Sequence, residues 1–322
     1  TDDVIKKFLD IDENLVDAVT RAKDVFQNLK ADYPEFIGKS ESETLSLVRS
    51  NILNFYPEDA ASPYLPLTSK GPWIVTFNGG VIYTSGAYGM LGFGHNPDFL
   101  DEVIGKPQTM ANVMTPNFSQ YRFTRTLMEH IGTKHGCPYY DFAFMNTGSG
   151  SVAVAARISD AHAKKMTEEG EKHHGKKIKY LAFEGGFHGR TYRAAQASSS
   201  TYKAYQALAS YRDIDKLVTI KPNDKEDLEN AFKNAADQNE YFEMMFMEPV
   251  MGEGRAGYSV EADFFALARK LTKENGTLLL VDSIQAGLRC NGVLSIIDYP
   301  GFEDIEGPDM ETFSKAINAG QY

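Results

Sequence analysis

Gly276-Thr277-Leu278-Leu279-Leu280-Val281-Asp282-Ser283-Ile284-Gln285 decides the fold of this chain. A glycine opens it, an apolar run follows, and Asp282 closes that run. A run this short with no polar alternation reads as a strand buried on both faces, as in a parallel sheet covered by helices. Gln285 stands three residues on. After a loop with Gly287, Gly292 and Pro308, a second short element, Met310 to Ser314, delivers Lys315. If both elements end on one rim of a parallel sheet, Asp282, Gln285 and Lys315 form one constellation, because α/β sites lie at the carboxyl ends of strands. Such a set suits a pyridine aldehyde. The amine condenses with the aldehyde, the carboxylate holds a proton on the ring nitrogen, and the amide bonds a ring hydroxyl. Taken alone, the three residues read equally well as a strand-end carboxylate, a capping amide and a surface lysine.

Upstream of this stretch, strands and helices alternate. Phe142 to Met145 is predicted as a short buried strand. It runs into Asn146-Thr147-Gly148-Ser149-Gly150-Ser151 and a helix from Val152 to about Glu168. A strand, a Gly/Ser turn and a helix amino terminus present free N–H groups and a positive dipole end to an anion such as phosphate. The turn is neither a P-loop nor the three-glycine dinucleotide turn, and a tight turn without a ligand is the alternative. Ile178 to Phe183 is the next strand, ending in Gly185-Gly186-Phe187-His188-Gly189-Arg190-Thr191. Phe187, between glycines, can stack on a flat ring or pack in the core. Leu217 to Ile220 is a strand and Asp224 to Asn234 a helix. Glu243 to Met247 is a strand ending in Glu248-Pro249, then Gly252-Glu253-Gly254. Asp263 to Asn275 is a helix with Phe264, Leu267, Ala268 and Leu271 on one face, stopped at Gly276. This repetition predicts an α/β fold, a mostly parallel sheet with helices on both faces.

The amino-terminal part reads as helical. Asp10 and Glu13 resemble a capping box, and Leu15, Val19, Ala22, Phe26 and Leu29 recur at helical spacing. Ser42 to Leu53 reads as a second helix with Leu45, Val48 and Ile52 inward. Prolines 57, 63, 66 and 72 punctuate the following loop. Ile74–Phe77 and Val81–Tyr83 are expected to pair as a hairpin through Asn78-Gly79-Gly80. The glycines in Gly86-Ala87-Tyr88-Gly89 and Gly92-Phe93-Gly94-His95 allow close backbone approach.

A chain of 322 residues can bury a large core. The net charge of −11 argues against non-specific nucleic-acid binding. Two cysteines, Cys137 and Cys290, imply no disulfide framework and fit a reducing cytoplasm. No apolar run of about 18 residues and no leader pattern is present, so no membrane partner is expected. Lys172-His173-His174-Gly175-Lys176-Lys177 reads as a solvated loop, and no metal is expected.

Several motifs stand in a fixed order: Asn146-Thr147-Gly148-Ser149, Phe187-His188-Gly189-Arg190-Thr191, Glu248-Pro249 with Gly252-Glu253-Gly254, Asp282-x-x-Gln285, and Pro308-Asp309 leading to Ser314-Lys315-Ala316. In this order they resemble the class III pyridoxal-phosphate aminotransferases of fold type I, the group containing ornithine, 4-aminobutyrate and other omega-amino-acid aminotransferases. The resemblance runs from about Ile74 to Tyr322. It implies pyridoxal 5'-phosphate as cofactor, held covalently by Lys315, which would also act as general base and acid. It implies that Asp282 pairs with the ring nitrogen and Gln285 with the ring hydroxyl. Gly148 and Ser149 would bind the phosphate, and Phe187 would stack on the ring with His188 beside it. Tyr88 would face the substrate. Glu253 would pair with a distal arginine, so that one site accepts both an amine donor and an oxo acid.

The sequence departs from the family pattern in places. Gly150 stands where Glu is usual, and Ser283-Ile284 replaces Glu-Val. Arg289-Cys290-Asn291-Gly292 replaces Gly-Arg-Thr-Gly, and Gln321 follows Gly320 in place of glycine. The resemblance assigns residues 1–72 to an amino-terminal helical segment with part of the small domain, and residues 73–322 to an incomplete cofactor-binding large domain. The carboxy-terminal small domain is expected to be missing, and this piece alone is not expected to be a competent transaminase. The implied activity is ping-pong transfer of an amino group from an amino acid or omega-amine to a 2-oxo acid, 2-oxoglutarate expected, by a homodimeric parent. Racemase, aminomutase or decarboxylase chemistry on the same residues is the alternative, as is a non-catalytic protein that keeps the fold.

Overall fold

The computed structural model describes residues 2–53, 62–86, 89–104, 106, 114–212 and 214–318. It divides into two units, Thr1–Gln108 with Ala319–Tyr322, and Thr109–Asn318.

In the first unit, α1 (Asp2–Leu9), α2 (Glu13–Asp32) and α3 (Glu41–Arg49) precede β1 (Pro66–Lys70), β2 (Trp73–Thr76), β3 (Val81–Tyr83) and α4 (Phe99–Ile104). The expected cap at Asp10 is displaced to Asp12. Asp10 N–H still bonds Lys6 O at the end of α1, whereas extended Asp12 accepts from Leu15 N–H at 3.1 Å. The buried stripe of α2 is Leu15, Ala18 and Ala22; Val19 is exposed. In α3 a Ser40–Glu43 capping box sets the start. Thr44 is its buried residue; Val48 is exposed within the helix, and Ile52 is exposed beyond its end at Arg49. The predicted hairpin forms with Ile74 opposite Ile82, and β1 adds a third antiparallel strand.

The second unit contains α5 (Phe118–His130), α6 (Gly148–Met166), β4 (Lys177–Phe183), α7 (Tyr192–Ala197), α8 (Tyr202–Tyr205), β5 (Leu217–Ile220), α9 (Lys225–Asp237), β6 (Glu240–Met247), α10 (Ala262–Asn275), β7 (Leu278–Asp282) and β8 (Met310–Thr312). The sheet order is β5-β4-β6-β7-β8, and every adjacent pair is parallel. Alternation splits each strand between two cores. Leu181, Phe183, Met245, Met247, Leu279 and Val281 meet α9 and α10 on one face. Tyr180, Ala182, Met244, Phe246 and Leu280 meet α6 and α7 on the other. Each large side chain so buried stabilises the fold by about 1.5–3 kcal/mol. After β4 the chain goes outward to β5 and then returns past β4 to β6, so the strand order reverses between β4 and β6. The crevice of a doubly wound sheet opens at such a reversal, beyond the carboxyl ends of the strands.

The predicted strand Phe142 to Met145 is not in the sheet. These residues have no ladder partner; the Phe144 ring packs 5.6 Å from that of Phe123 in α5. The segment lies across a groove of about 220 Å³ from β8, so its apolar character reflects packing rather than pairing.

Gly276 caps α10 in the left-handed region (φ 68°), and a Cβ there would approach Met166 Cε to 2.8 Å. Gly276→Ala is expected to cost about 1–2 kcal/mol, read as a lowered urea midpoint with unchanged slope.

Candidate active site

Asp282 ends β7 and is 4% exposed. A carboxylate this buried needs donors, and it has three. His188 Nδ1–H donates to Oδ2 at 2.9 Å; Ile284 N–H and Thr312 Oγ1–H donate to Oδ1, each at 3.2 Å. The acceptor on Nδ1 assigns that nitrogen its proton. His188 Nε2 is buried and has no partner among the described residues. The parallel register sets Asp282 opposite Thr312, so the chain leaves β8 on the rim where Asp282 sits and reaches Lys315 three residues later.

Lys315 opens a short 3-10 turn, Lys315–Asn318. Burial holds its amine below the ordinary lysine range, while the charges of Asp282, Glu253 and Glu248, in that order, oppose the shift. Desolvation thus favours the neutral amine, the form that attacks a carbonyl. The two groups that the sequence places 33 residues apart are electrostatic neighbours on adjacent strand ends.

Glu248, at the end of β6, joins two loops. Its Oε1 accepts Phe187 N–H at 2.8 Å and its Oε2 accepts Gly252 N–H at 2.9 Å. Burial, opposed by His188 and reinforced by Asp282, raises its pKa to about 7. Gly252 is required where it stands: a Cβ would lie 1.3 Å from Gln285 Oε1. The Gln285 amide is therefore packed directly over the Gly252 backbone. Gly189 is similarly close to the Gly148-Ser149 turn, since its Cβ would sit 2.4 Å from Ser149 Oγ.

The turn expected to hold an anion is itself the first turn of α6, which starts four residues earlier than the sequence pattern indicates. Thr147 is its cap and accepts Gly150 N–H at 3.0 Å, while Ser151 N–H bonds Thr147 O. The N–H groups of Gly148 and Ser149 have no acceptor among the described residues. Two open N–H groups at a helix amino terminus form a cradle for a phosphate. Ser149 Oγ also accepts Arg190 N–H at 3.2 Å, tying this turn to the loop that carries Phe187.

Phe187 is partly exposed, with the Arg190 guanidinium 5.3 Å from its ring centroid. Glu253 pairs with Arg190 at 3.4 Å. Arg190 comes from the loop after β4, so this ion pair joins that loop to the one after β6. Tyr88 lies outside the described residues. The sequence reading missed three members of this rim. Arg190 and Glu248 stood inside quoted motifs and carried a signal. Thr312 carried none, since only strand register brings it to Asp282.

Pyridoxal phosphate fits these residues. Its phosphate matches the open N–H pair of Gly148 and Ser149, its ring nitrogen matches the Asp282 carboxylate, and its aldehyde matches an amine whose neutral form is favoured. This is the architecture of fold type I pyridoxal-phosphate enzymes. Solved structures share it: ornithine aminotransferase from Toxoplasma gondii aligns at a TM-score of 0.68 with 22% identity, covering 91% of this chain and 64% of that one. Acetylornithine aminotransferase from Elizabethkingia anophelis aligns at 0.62 with 21% identity, covering 88% and 64%. The Aminotransferase class-III model matches residues 56–322, and the chain belongs to that family, whose members depend on pyridoxal phosphate. Among curated relatives, ornithine aminotransferase of Emericella nidulans is 32% identical over 186 residues, 55% of this chain and 38% of that protein. Glutamate-1-semialdehyde 2,1-aminomutase of Saccharolobus islandicus is 25% identical over 265 residues, 80% of this chain and 55% of that protein. The chain thus spans about two-fifths to just over half of these relatives' length. No described helix is long and apolar enough to cross a membrane.

The Glu248 carboxyl in the folded chain keeps a proton that the unfolded chain, with an ordinary value of 4.5, has released. Its effect on stability is absent below that value and becomes unfavourable as pH rises toward 7. Relative to Glu248→Gln, the native protein is expected to lose on the order of 3 kcal/mol between about pH 4.5 and 8. Urea denaturation of both proteins across that range measures the difference.

Proposed function

We propose that the protein is a pyridoxal-phosphate aminotransferase that moves an amino group from an amino acid or omega-amine to a 2-oxo acid, with 2-oxoglutarate the expected acceptor, in two half-reactions. The observation that carries this reading is that half-buried Lys315 follows β8 on the rim where β7 ends in Asp282. The bound cofactor supplies an aldehyde that condenses with amines and a ring that draws electrons from the substrate carbon.

The chain's own residues then have definite tasks. Lys315 would hold the cofactor and, with its amine free, would take a proton from the substrate carbon and return it. Asp282, oriented by His188 and Thr312, would hold a proton on the ring nitrogen. Gly148 and Ser149 would bind the phosphate through backbone N–H groups, Gln285 would bond the ring hydroxyl, and Phe187 would lie against the ring. Arg190 receives a substrate carboxylate and Glu253 holds Arg190 when none is present, so one site serves two substrates of different charge. By the family resemblance, Tyr88 would face the substrate. We read the working assembly as a homodimer in the cytoplasm. Exposed rings at Phe118 and Tyr121 on α5 support a covered surface, and two free cysteines support a reducing compartment.

A second reading, an aminomutase, is favoured by the 25% identity to the glutamate-1-semialdehyde enzymes. Amino-group transfer to added 2-oxoglutarate separates the two, since a mutase moves the group within one molecule and needs no acceptor.

Lys315→Ala is expected to abolish the visible absorption band that the protein develops with pyridoxal phosphate and to lower amino-group transfer by at least about 10³-fold. A band that persists in this variant overturns the assignment. Arg190→Ala is expected to raise the KM of the oxo acid about tenfold or more with a smaller change in kcat, since it removes binding rather than proton transfer. Steady-state kinetics with saturating donor measures it.

A further inference from the structure

Glu311 is a carboxylate that the chemistry above does not use. It sits on β8 beside Thr312, opposite Val281 and one register step from Asp282. Its two oxygens accept four hydrogen bonds. Ser283 Oγ–H and Ile296 N–H donate to Oε1; Ser295 Oγ–H and Tyr139 OH donate to Oε2. The Ile296 and Tyr139 bonds measure 3.1 and 2.9 Å. Ser283 and Ser295 are at most 1% exposed.

The donors come from separate parts of the chain. Ser283 follows Asp282 directly, on the way to Gln285. Ser295 caps the 3-10 turn Ile296–Asp298, where the loop after Gln285 returns to the core. Tyr139 lines the groove beside β8, ahead of the Phe142–Met145 segment. One carboxylate therefore pins both ends of the loop that carries Gln285. The backbone helps, since Ser283 N–H bonds Thr312 O at 2.9 Å. Asp282 is thus held between two cross-strand links, its own bond from Thr312 Oγ1 and the Ser283–Glu311 bond.

We propose that Glu311 is a positioning residue for the cofactor site. Through Ser283 and Ser295 it fixes Asp282 and the Gln285 loop in cofactor-binding geometry. The inference rests on the reading of Asp282 as partner of the ring nitrogen. Burial pushes the Glu311 carboxyl up, and its four donors work in the opposite direction, which is how an enclosed acid is kept as an acceptor.

The test measures the dissociation constant of pyridoxal phosphate from its visible absorption, well below the thermal midpoint of each protein. Three proteins are compared: wild type, Glu311→Gln and Glu311→Val. Glu311→Gln keeps the volume and fold. It is expected to bind the cofactor about tenfold more weakly, because an amide cannot accept at both ends. Glu311→Val is expected to lose more. A purely structural role for Glu311 would lower the thermal midpoint and leave the dissociation constant unchanged, and that result overturns the inference. Absence of a band in wild type overturns the underlying reading of Asp282 and Lys315 together with this one, and so is distinguishable from that result.

Discussion

The bond between His188 and Asp282 is the constraint on which the rest of the site depends. A carboxylate 4% exposed at a strand end costs several kcal/mol if left without donors. Here the imidazole, a backbone N–H and a threonine hydroxyl divide its two oxygens between them. Those donors come from the loop after β4, the turn after β7 and the end of β8. Satisfying one acid therefore brings three strand ends to a common point, and Lys315 follows from the third. The fold thereby fixes one carboxylate where three strand ends meet.

Glu248 extends this arrangement to the β4 and β6 loops. It reaches backbone N–H groups on both sides of the strand reversal, at Phe187 and at Gly252. Its raised pKa follows chiefly from its own burial, with the Asp282 charge adding to it. Two acids in one small volume repel each other, and only fixed donors keep them there. The glycines around them are spatial requirements. Gly252 leaves room for the Gln285 amide, and Gly189 leaves room for Ser149.

How much of this was legible in the sequence varies with the physics involved. The β4, β5, β6 and β7 strands were legible because apolar runs without polar alternation have few other uses. The stop of α10 at Gly276 was legible because the left-handed cap selects glycine. Asp282, Gln285, Lys315 and the Gly148-Ser149 turn were legible as ordered motifs. The misplacements have local causes. Asp10 and Asp12 are both capping residues, and only the end of α1 decides between them. In α3 the apolar spacing overran the helix, so Ile52 is exposed. Phe142 to Met145 has a strand's composition but packs against α5, because composition cannot say whether an edge is there to pair with.

The order of chemistry-bearing residues along the chain, and the helix-strand alternation that spaces them, came from the sequence alone. Short-range properties suffice for this: periodicity, capping and backbone preference act within a few residues. Tertiary structure alone decided which groups meet. The pairing of Asp282 with His188, the Thr312 bond, the Arg190–Glu253 contact and the four donors around Glu311 all depend on strand order and register. Side chains alternate faces with every residue along a strand, so a one-residue slip of β8 would exchange Glu311 and Thr312. Only the packed sheet specifies that register.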